Sequence, residues 1–218
     1  MQPYVSAAFA CTPPDSWASF QGKGRGIVSK ERLAAFSDGV IAIIITIMVL
    51  ELRVPHGDDW SALSKLWPIF LSYVLSFLYI AIYWNNHHHL LHAFKQVNGR
   101  ILWANTHLLF WLSLIPFATG WMGENNFAEV PTAVYGVALF MPAVAYYILQ
   151  LTIIQSEGRT SGLARALGRD FKGKISPILY GAAIGLAFIE PWISCGIYTF
   201  VALMWLVPDR RIEKMLSD

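Results

Sequence analysis

The chain alternates long apolar runs with short polar connections. Crossing the roughly 30 Å hydrocarbon core of a bilayer takes about 20 apolar residues in a helix that rises about 1.5 Å per residue. Runs near that length recur through most of the sequence, and the last two meet at Glu190-Pro191, because the residue before a proline is disfavoured in a helix. The pattern predicts an all-α integral membrane protein of six transmembrane helices, at about residues 33–52, 66–86, 101–121, 131–153, 175–190 and 191–207.

The composition agrees with a membrane location. Of the 218 residues, 56% are hydrophobic and only 14% are charged, against roughly 25% charged residues in ordinary soluble proteins. This excludes a disordered or collagen-like chain and disfavours a water-soluble enzyme. The net charge of +2, without a dense basic block beside aromatic residues, gives no indication of a nucleic-acid partner. No cofactor and no enzymatic activity are predicted.

The basic residues predict the orientation in the membrane. Fourteen of the 16 Lys and Arg residues fall in the two ends and the second and fourth connections, and only Arg53 and Lys65 lie elsewhere. The positive-inside rule therefore places both termini in the cytoplasm, which requires an even number of helices. Residues 1–26 lack the order of regions of a signal peptide and are predicted to form a flexible cytoplasmic leader. Residues 27–218 then form a single six-helix transmembrane domain.

The first helix carries polar groups in its opening turns. Ser37, Asp38 and Gly39 follow a stretch that already continues the helical pattern from Arg32. A charged residue inside a membrane helix costs about 2.5–3.5 kcal/mol on insertion scales, which makes Asp38 a candidate functional residue. In the alternative interpretation, Ser37 and Asp38 cap the helix N-terminus at the membrane surface.

The remainder of the first helix is two-sided. At about 100° per residue, Asp38 lies on one side and a nearly apolar stripe lies on the other. This stripe comprises Gly39, Ile43, Thr46, Ile47 and Leu50.

A buried polar network is predicted between the first and second helices, at their cytoplasmic ends. Such a network would fix the first helix against its neighbour and serve as structural support rather than catalysis. Its predicted members are Arg32, Ser37 and Asp38 with His87 or His88, and Asn105 of the third helix lies within reach.

The histidines of the second helix also suggest a metal site. His88 and His92 stand four residues apart on one helical face, a spacing that can chelate a metal. No cysteine or carboxylate lies nearby in the sequence to complete the ligand set. No structural metal site is therefore predicted, and interfacial histidines are the competing interpretation.

These motifs resemble a known family. Arg32-x-x-x-Phe36-Ser37-Asp38-Gly39 followed by an isoleucine-rich run resembles the signature of the lysosomal potassium channels and their small prokaryotic relatives. Supporting matches extend from about residue 30 to 212: Tyr83-Trp84-x-x-His87-His88, Asn105 with Pro116-Phe117, and Trp205-x-x-Pro208-Asp209-Arg210-Arg211.

The resemblance implies a fold and an activity. Members of this size form homotetramers in which the first helices line a central pore without a T-V-G-Y-G filter, and that motif is absent here. The resemblance places Ile43 at a hydrophobic constriction, Thr46 at the threonine linked to potassium preference, and Leu50 at an outer pore-lining position. Ile47 completes the stripe. Ala42 replaces a serine of the animal proteins, which implies weaker selectivity.

The resemblance therefore predicts a cation channel of a bacterial plasma membrane, modestly selective for K⁺ over Na⁺. Its partners would be the lipid bilayer, further copies of the chain, and K⁺ and other monovalent cations, with K⁺ passing transiently near Thr46. The alternative is a secondary transporter or proton-coupled cation exchanger that uses Asp38 and the histidines of the second helix. Transporters usually show inverted repeats and broken helices, and the sequence shows neither.

Overall fold

A computed structural model describes residues 28–92, 94, 96–158 and 171–206 of the chain. Each of the six predicted runs falls on helical structure, and the all-helical class is confirmed for the described residues. The predicted leader, residues 1–26, and the end of the Trp205-to-Arg211 motif lie outside them. The helices are α1 (Lys30–Leu50), α2 (Trp60–Ser64), α3 (Trp67–His92), α4 (Gly99–Ser113), α5 (Ile115–Glu124), α6 (Glu129–Glu157), α7 (Phe171–Leu186) and α8 (Pro191–Leu206).

The helices differ in their ability to cross a bilayer. Among the described residues, four apolar stretches are long enough: α1, α3, the consecutive pair α4–α5, and α6. Helices α7 and α8 have 16 residues each, or about 24 Å of helix, which is shorter than the roughly 30 Å hydrocarbon core. The second transmembrane helix predicted from the sequence corresponds to α3, and the third corresponds to α4–α5. That the chain crosses the membrane six times stays a prediction.

Helix α1 begins well before Ser37 and Asp38, the residues that the alternative interpretation places at its N-terminal cap. Ser29 has extended backbone geometry, and its hydroxyl accepts a hydrogen bond from the Arg32 amide at 3.3 Å. Because Ser29 already satisfies an open amide of the first turn, the helix starts at Lys30, two turns before Ser37. Ser37 and Asp38 are thus interior residues of α1, and the interpretation of these two residues as its N-terminal cap is wrong.

The third predicted helix is interrupted near its middle. Helix α4 ends at Ser113, and α5 begins at Ile115 with Pro116 in its first turn. A proline is tolerated there because the amide it lacks would have no partner within the helix.

Packing leaves α1 at one side of the bundle. Helix α6 contacts α4, α5, α7 and α8, whereas α1 contacts α3, α4 and α5. One face of α1 is buried against these three helices, and its opposite face is uncovered. The buried residues recur every three or four positions: Leu33, Ser37, Ile41, Ile44 and Met48.

The contact between α3 and α5 depends on a glycine. A Cβ added at Gly123 would lie 2.5 Å from the Ser72 hydroxyl oxygen and 2.9 Å from the Ile69 Cα. Since the Cα belongs to the backbone, a rotamer change cannot relieve the overlap, and the two helices would have to separate.

We expect Gly123→Ala to destabilise the fold by about 1–3 kcal/mol, the usual cost of overpacking. The matched control is Gly185→Ala in α7, where an added Cβ meets nothing within 4 Å. Thermal unfolding of the detergent-solubilised protein measures both variants. Equal melting temperatures for the two would contradict the close approach of α3 and α5.

Candidate functional site

The uncovered face of α1 is the apolar stripe that the sequence predicts. Ile43, Ile47 and Leu50 are 58%, 43% and 77% exposed, and Thr46 is exposed between them. A Cβ added at Gly39, on the same face, would meet nothing within 4 Å. Phe36 of the predicted signature is also exposed. The chain by itself therefore leaves this stripe without a protein partner among the described residues.

An open groove of about 470 Å³ runs beside this stripe, between α1 and the α4–α5 break. Ile43 and Ile47 form part of one wall, and Phe117 lies on the other side. The remaining lining residues are Val40, Ile44, Glu51, Ser113 and Pro116. The groove is thus apolar along most of its length, and Glu51 is its ionisable residue.

A chain of buried hydrogen bonds holds the opposite face of α1. Asn105 of α4 donates from Nδ2 to the Ser37 hydroxyl at 2.9 Å, and that hydroxyl donates to the Leu33 carbonyl of its own helix at 2.9 Å. The Asn105 Oδ1 then accepts from His87 Nε2 of α3 at 2.6 Å. Ser37, Asn105 and His87 are all at most 1% exposed. One asparagine thereby joins α1, α4 and α3.

This arrangement also sets the state of His87. Because the Asn105 oxygen can only accept a hydrogen bond, the His87 Nε2 carries a proton. In the neutral ring, the other nitrogen, Nδ1, then has a free lone pair. That Nδ1 is buried and has no hydrogen-bond partner among the described residues. A donating Nε2 and an open Nδ1 describe a neutral imidazole that supports packing.

The structure corrects the predicted network at three residues. Asp38 accepts a hydrogen bond from Trp84 Nε1 at 3.0 Å, instead of bonding to His87 or His88. Asp38 follows Ser37 by about 100° around the helix, so it lies at the flank of the contact, where the Trp84 indole meets it. Arg32 is exposed, and so is His88. The buried members are therefore Ser37, Asn105 and His87.

The histidine rings at the end of α3 lie against one another at an angle. The rings of His88 and His92 have centroids 4.4 Å apart, and His92 Nδ1 donates to the His88 carbonyl at 2.9 Å. That bond occupies one of the ring nitrogens that a metal would need. Within the described ranges, no three His, Cys, Asp or Glu side chains are grouped closely enough to hold a metal ion.

Lys30 ties the start of α1 to the end of α3, a contact that the sequence analysis missed. Its Nζ donates to the Phe94 carbonyl at 2.9 Å and to the His92 carbonyl at 3.3 Å. A cation at a helix C-terminus satisfies open carbonyls and complements the helix dipole. No sequence signal identifies this pair, because 62 and 64 residues separate the partners.

We expect Asn105→Ala to destabilise the protein by about 1–3 kcal/mol, because it leaves the buried His87 and Ser37 groups without their partner. The control is Thr106→Ala, whose exposed hydroxyl bonds only to the Leu102 carbonyl of its own helix. Thermal unfolding in detergent measures the difference. A loss for Thr106→Ala as large as that for Asn105→Ala would contradict the bridging role.

Comparisons with known proteins identify the family of this chain. Residues 32–116, which contain the whole α1 stripe and the Ser37–Asn105–His87 chain, match the family described as endosomal/lysosomal potassium channel TMEM175. A potassium channel of Chryseobacterium sp. (strain P1-3) is 56% identical over 191 residues, which are 88% of this chain and 100% of that protein. A potassium channel of Streptomyces collinus is 29% identical over 186 residues, 80% of this chain and 90% of that protein.

A solved structure agrees with these matches. The crystal structure of a lysosomal potassium-selective channel TMEM175 homologue from Chamaesiphon minutus superposes with a TM-score of 0.73 and 28% identity. The superposition covers 83% of this chain and 97% of the other. The resemblance inferred from the sequence is confirmed, and the family is one of channels rather than enzymes. The chain belongs to the TMEM175 family of membrane channels.

Proposed function

We propose that the protein is a potassium-permeable cation channel of a bacterial plasma membrane, in which four copies place α1 around a central pore. The observation that carries this proposal is the apolar face of α1, with Ile43 and Leu50 more than half exposed in a chain whose bacterial relatives are named potassium channels. Lipid could also cover an apolar face. The family assignment favours the pore.

The spacing of the stripe suits a ring of parallel helices. Gly39, Ile43, Thr46 and Leu50 follow one another at intervals of four, three and four residues, which is the repeat that keeps one seam facing the axis of a helical bundle. The small Gly39 stands at the cytoplasmic end of this seam in the predicted orientation. The seam therefore fits a bundle of parallel α1 helices, one from each copy, that approach one another at this end.

Thr46 supplies the polar level of the proposed pore. Its hydroxyl donates to the Ile43 carbonyl at 2.8 Å, so the proton points back into the helix and the oxygen lone pairs remain for a passing cation. The other levels are isoleucine and leucine rings, which hold back ions by size and dewetting. K⁺ loses its hydration shell more readily than Na⁺, and a single hydroxyl level yields a modest preference for K⁺.

The scaffold of the proposed channel has six crossings with both termini in the cytoplasm. The distribution of Lys and Arg supports this topology, and the short helices α7 and α8 then form a hairpin around Pro191. The Asp38–Trp84 bond lies at the cytoplasmic end, and Glu51 lies at the outer end.

The structure disfavours the exchanger alternative. A proton relay would need Asp38 beside a histidine that can exchange protons with it. The partner of Asp38 is the Trp84 indole, which is a donor only. The buried His87 bonds to the Asn105 amide rather than to Asp38.

The test is ion flux through liposomes that contain the purified protein, under opposed K⁺ and Na⁺ gradients. We expect a reversal potential on the K⁺ side for the unchanged protein. Ile43→Asn should enlarge the current severalfold and move the reversal potential toward zero, because a polar side chain wets the constriction.

The matched control is Ile178→Asn, the same chemical change at a 67% exposed position on α7, which should leave the reversal potential unchanged. Unaltered flux after Ile43→Asn, or flux that requires a proton gradient, would contradict the pore along α1. A detergent-solubilised mass of one chain would contradict the tetramer.

A further inference from the structure

A half-buried carboxylate lies at the outer end of α1, directly after the stripe. Glu51 is the C-terminal cap of the helix and keeps helical backbone angles, with its amide donating to the Met48 carbonyl at 3.3 Å. Its side chain lines the same groove as Ile43 and Ile47. Glu51 therefore lies in the groove between α1 and α5, next to the apolar stripe.

The Glu51 side chain packs against Gly120 of α5. A Cβ added at Gly120 would lie 3.0 Å from Glu51 Oε2 and 3.3 Å from its Cδ, and its three nearest neighbours all belong to Glu51. A side chain at this position of α5 would therefore press on the Glu51 carboxylate. The glycine thus leaves room for the Glu51 head group beside α5.

The charge of Glu51 is not neutralised by the nearby arginine. Arg53 Nη2 pairs with Glu124 Oε1 at 2.7 Å, and no ion pair or side-chain hydrogen bond joins Glu51 to another residue in the part of the chain that the structure describes. The Glu51 carboxylate is therefore free to interact with a passing cation.

We propose that Glu51 concentrates cations at the outer mouth of the pore and thereby sets the conductance at low salt. This inference rests on the proposed channel function. Glu51 lies five residues beyond Thr46, which corresponds to about 7–8 Å along the helix axis and is within one Debye length at physiological salt. In a tetramer the four copies form a carboxylate ring, and such rings raise the local cation concentration.

Two other outer carboxylates differ from Glu51. Glu124 is paired with Arg53 and so contributes little net charge. Glu129 begins α6 and is exposed, and it does not line the groove. Glu129 therefore provides a matched control for the loss of one carboxylate on the same side of the membrane.

The experiment is single-channel recording in planar bilayers from about 10 mM to about 1 M KCl, where the Debye length falls from roughly 30 to 3 Å. We expect Glu51→Gln to lower the conductance severalfold at the lowest salt and Glu51→Lys to lower it further. Glu51→Asp keeps the charge and should stay close to the unchanged protein. All four conductances should converge near 1 M, and Glu129→Gln should follow the unchanged protein throughout.

A conductance ratio between Glu51→Gln and the unchanged protein that does not depend on salt would overturn the inference, as would an equal loss in Glu129→Gln. Because each channel is recorded separately, poor folding of a variant lowers the number of channels without altering the value measured. Ile43→Asn in the same bilayers separates the two proposals. If Ile43→Asn alters the conductance and the Glu51 variants do not, the role of Glu51 is contradicted and the pore along α1 stands. If neither Ile43→Asn nor the Glu51 variants alter the conductance, the pore along α1 is contradicted as well.

Discussion

The position of α1 depends on one buried asparagine. Asn105 uses both ends of its amide, one toward Ser37 of α1 and the other toward His87 of α3. A helix that packs through a smooth apolar face could rotate about its axis at little cost, because dispersion contacts are not directional. Hydrogen bonds are directional, so this amide fixes which face of α1 is buried and hence which face is left open.

Contacts at the two ends of α1 add to this constraint. At one end, Lys30 bonds to the His92 carbonyl, the last of α3, and to the Phe94 carbonyl just beyond it. At the other, the Glu51 side chain rests on Gly120 of α5, and Arg53 just beyond it pairs with Glu124. The helix is thus held near its start, in its first half and at its far end. A helix secured in this way on one side can present the other side to an ion path without being displaced.

The polar groups of α1 divide into two classes with different environments. Ser37 is fully buried, and its hydrogen bonds are complete. Thr46 lies on the open face with its proton bonded to its own backbone, and the half-buried Glu51 carboxylate at the end of the helix has no ion-pair partner among the described residues. In a protein that conducts cations, the first class supports the helix, and the second is able to meet the ion.

The sequence by itself determined the helical fold, the apolar stripe of Ile43, Thr46, Ile47 and Leu50, and the family, because these follow from residue spacing along a single helix and from motifs in the first half of the chain. It also indicated that Ser37, His87 and Asn105 belong together, since the predicted topology puts them at one depth. Only the tertiary structure decided that Trp84 rather than a histidine reaches Asp38, that Asn105 is the bridge, and that Glu51 lies on Gly120. Those pairings depend on the rotation and axial offset of each helix relative to its neighbours, which the packing of many side chains sets together and no spacing within one helix encodes.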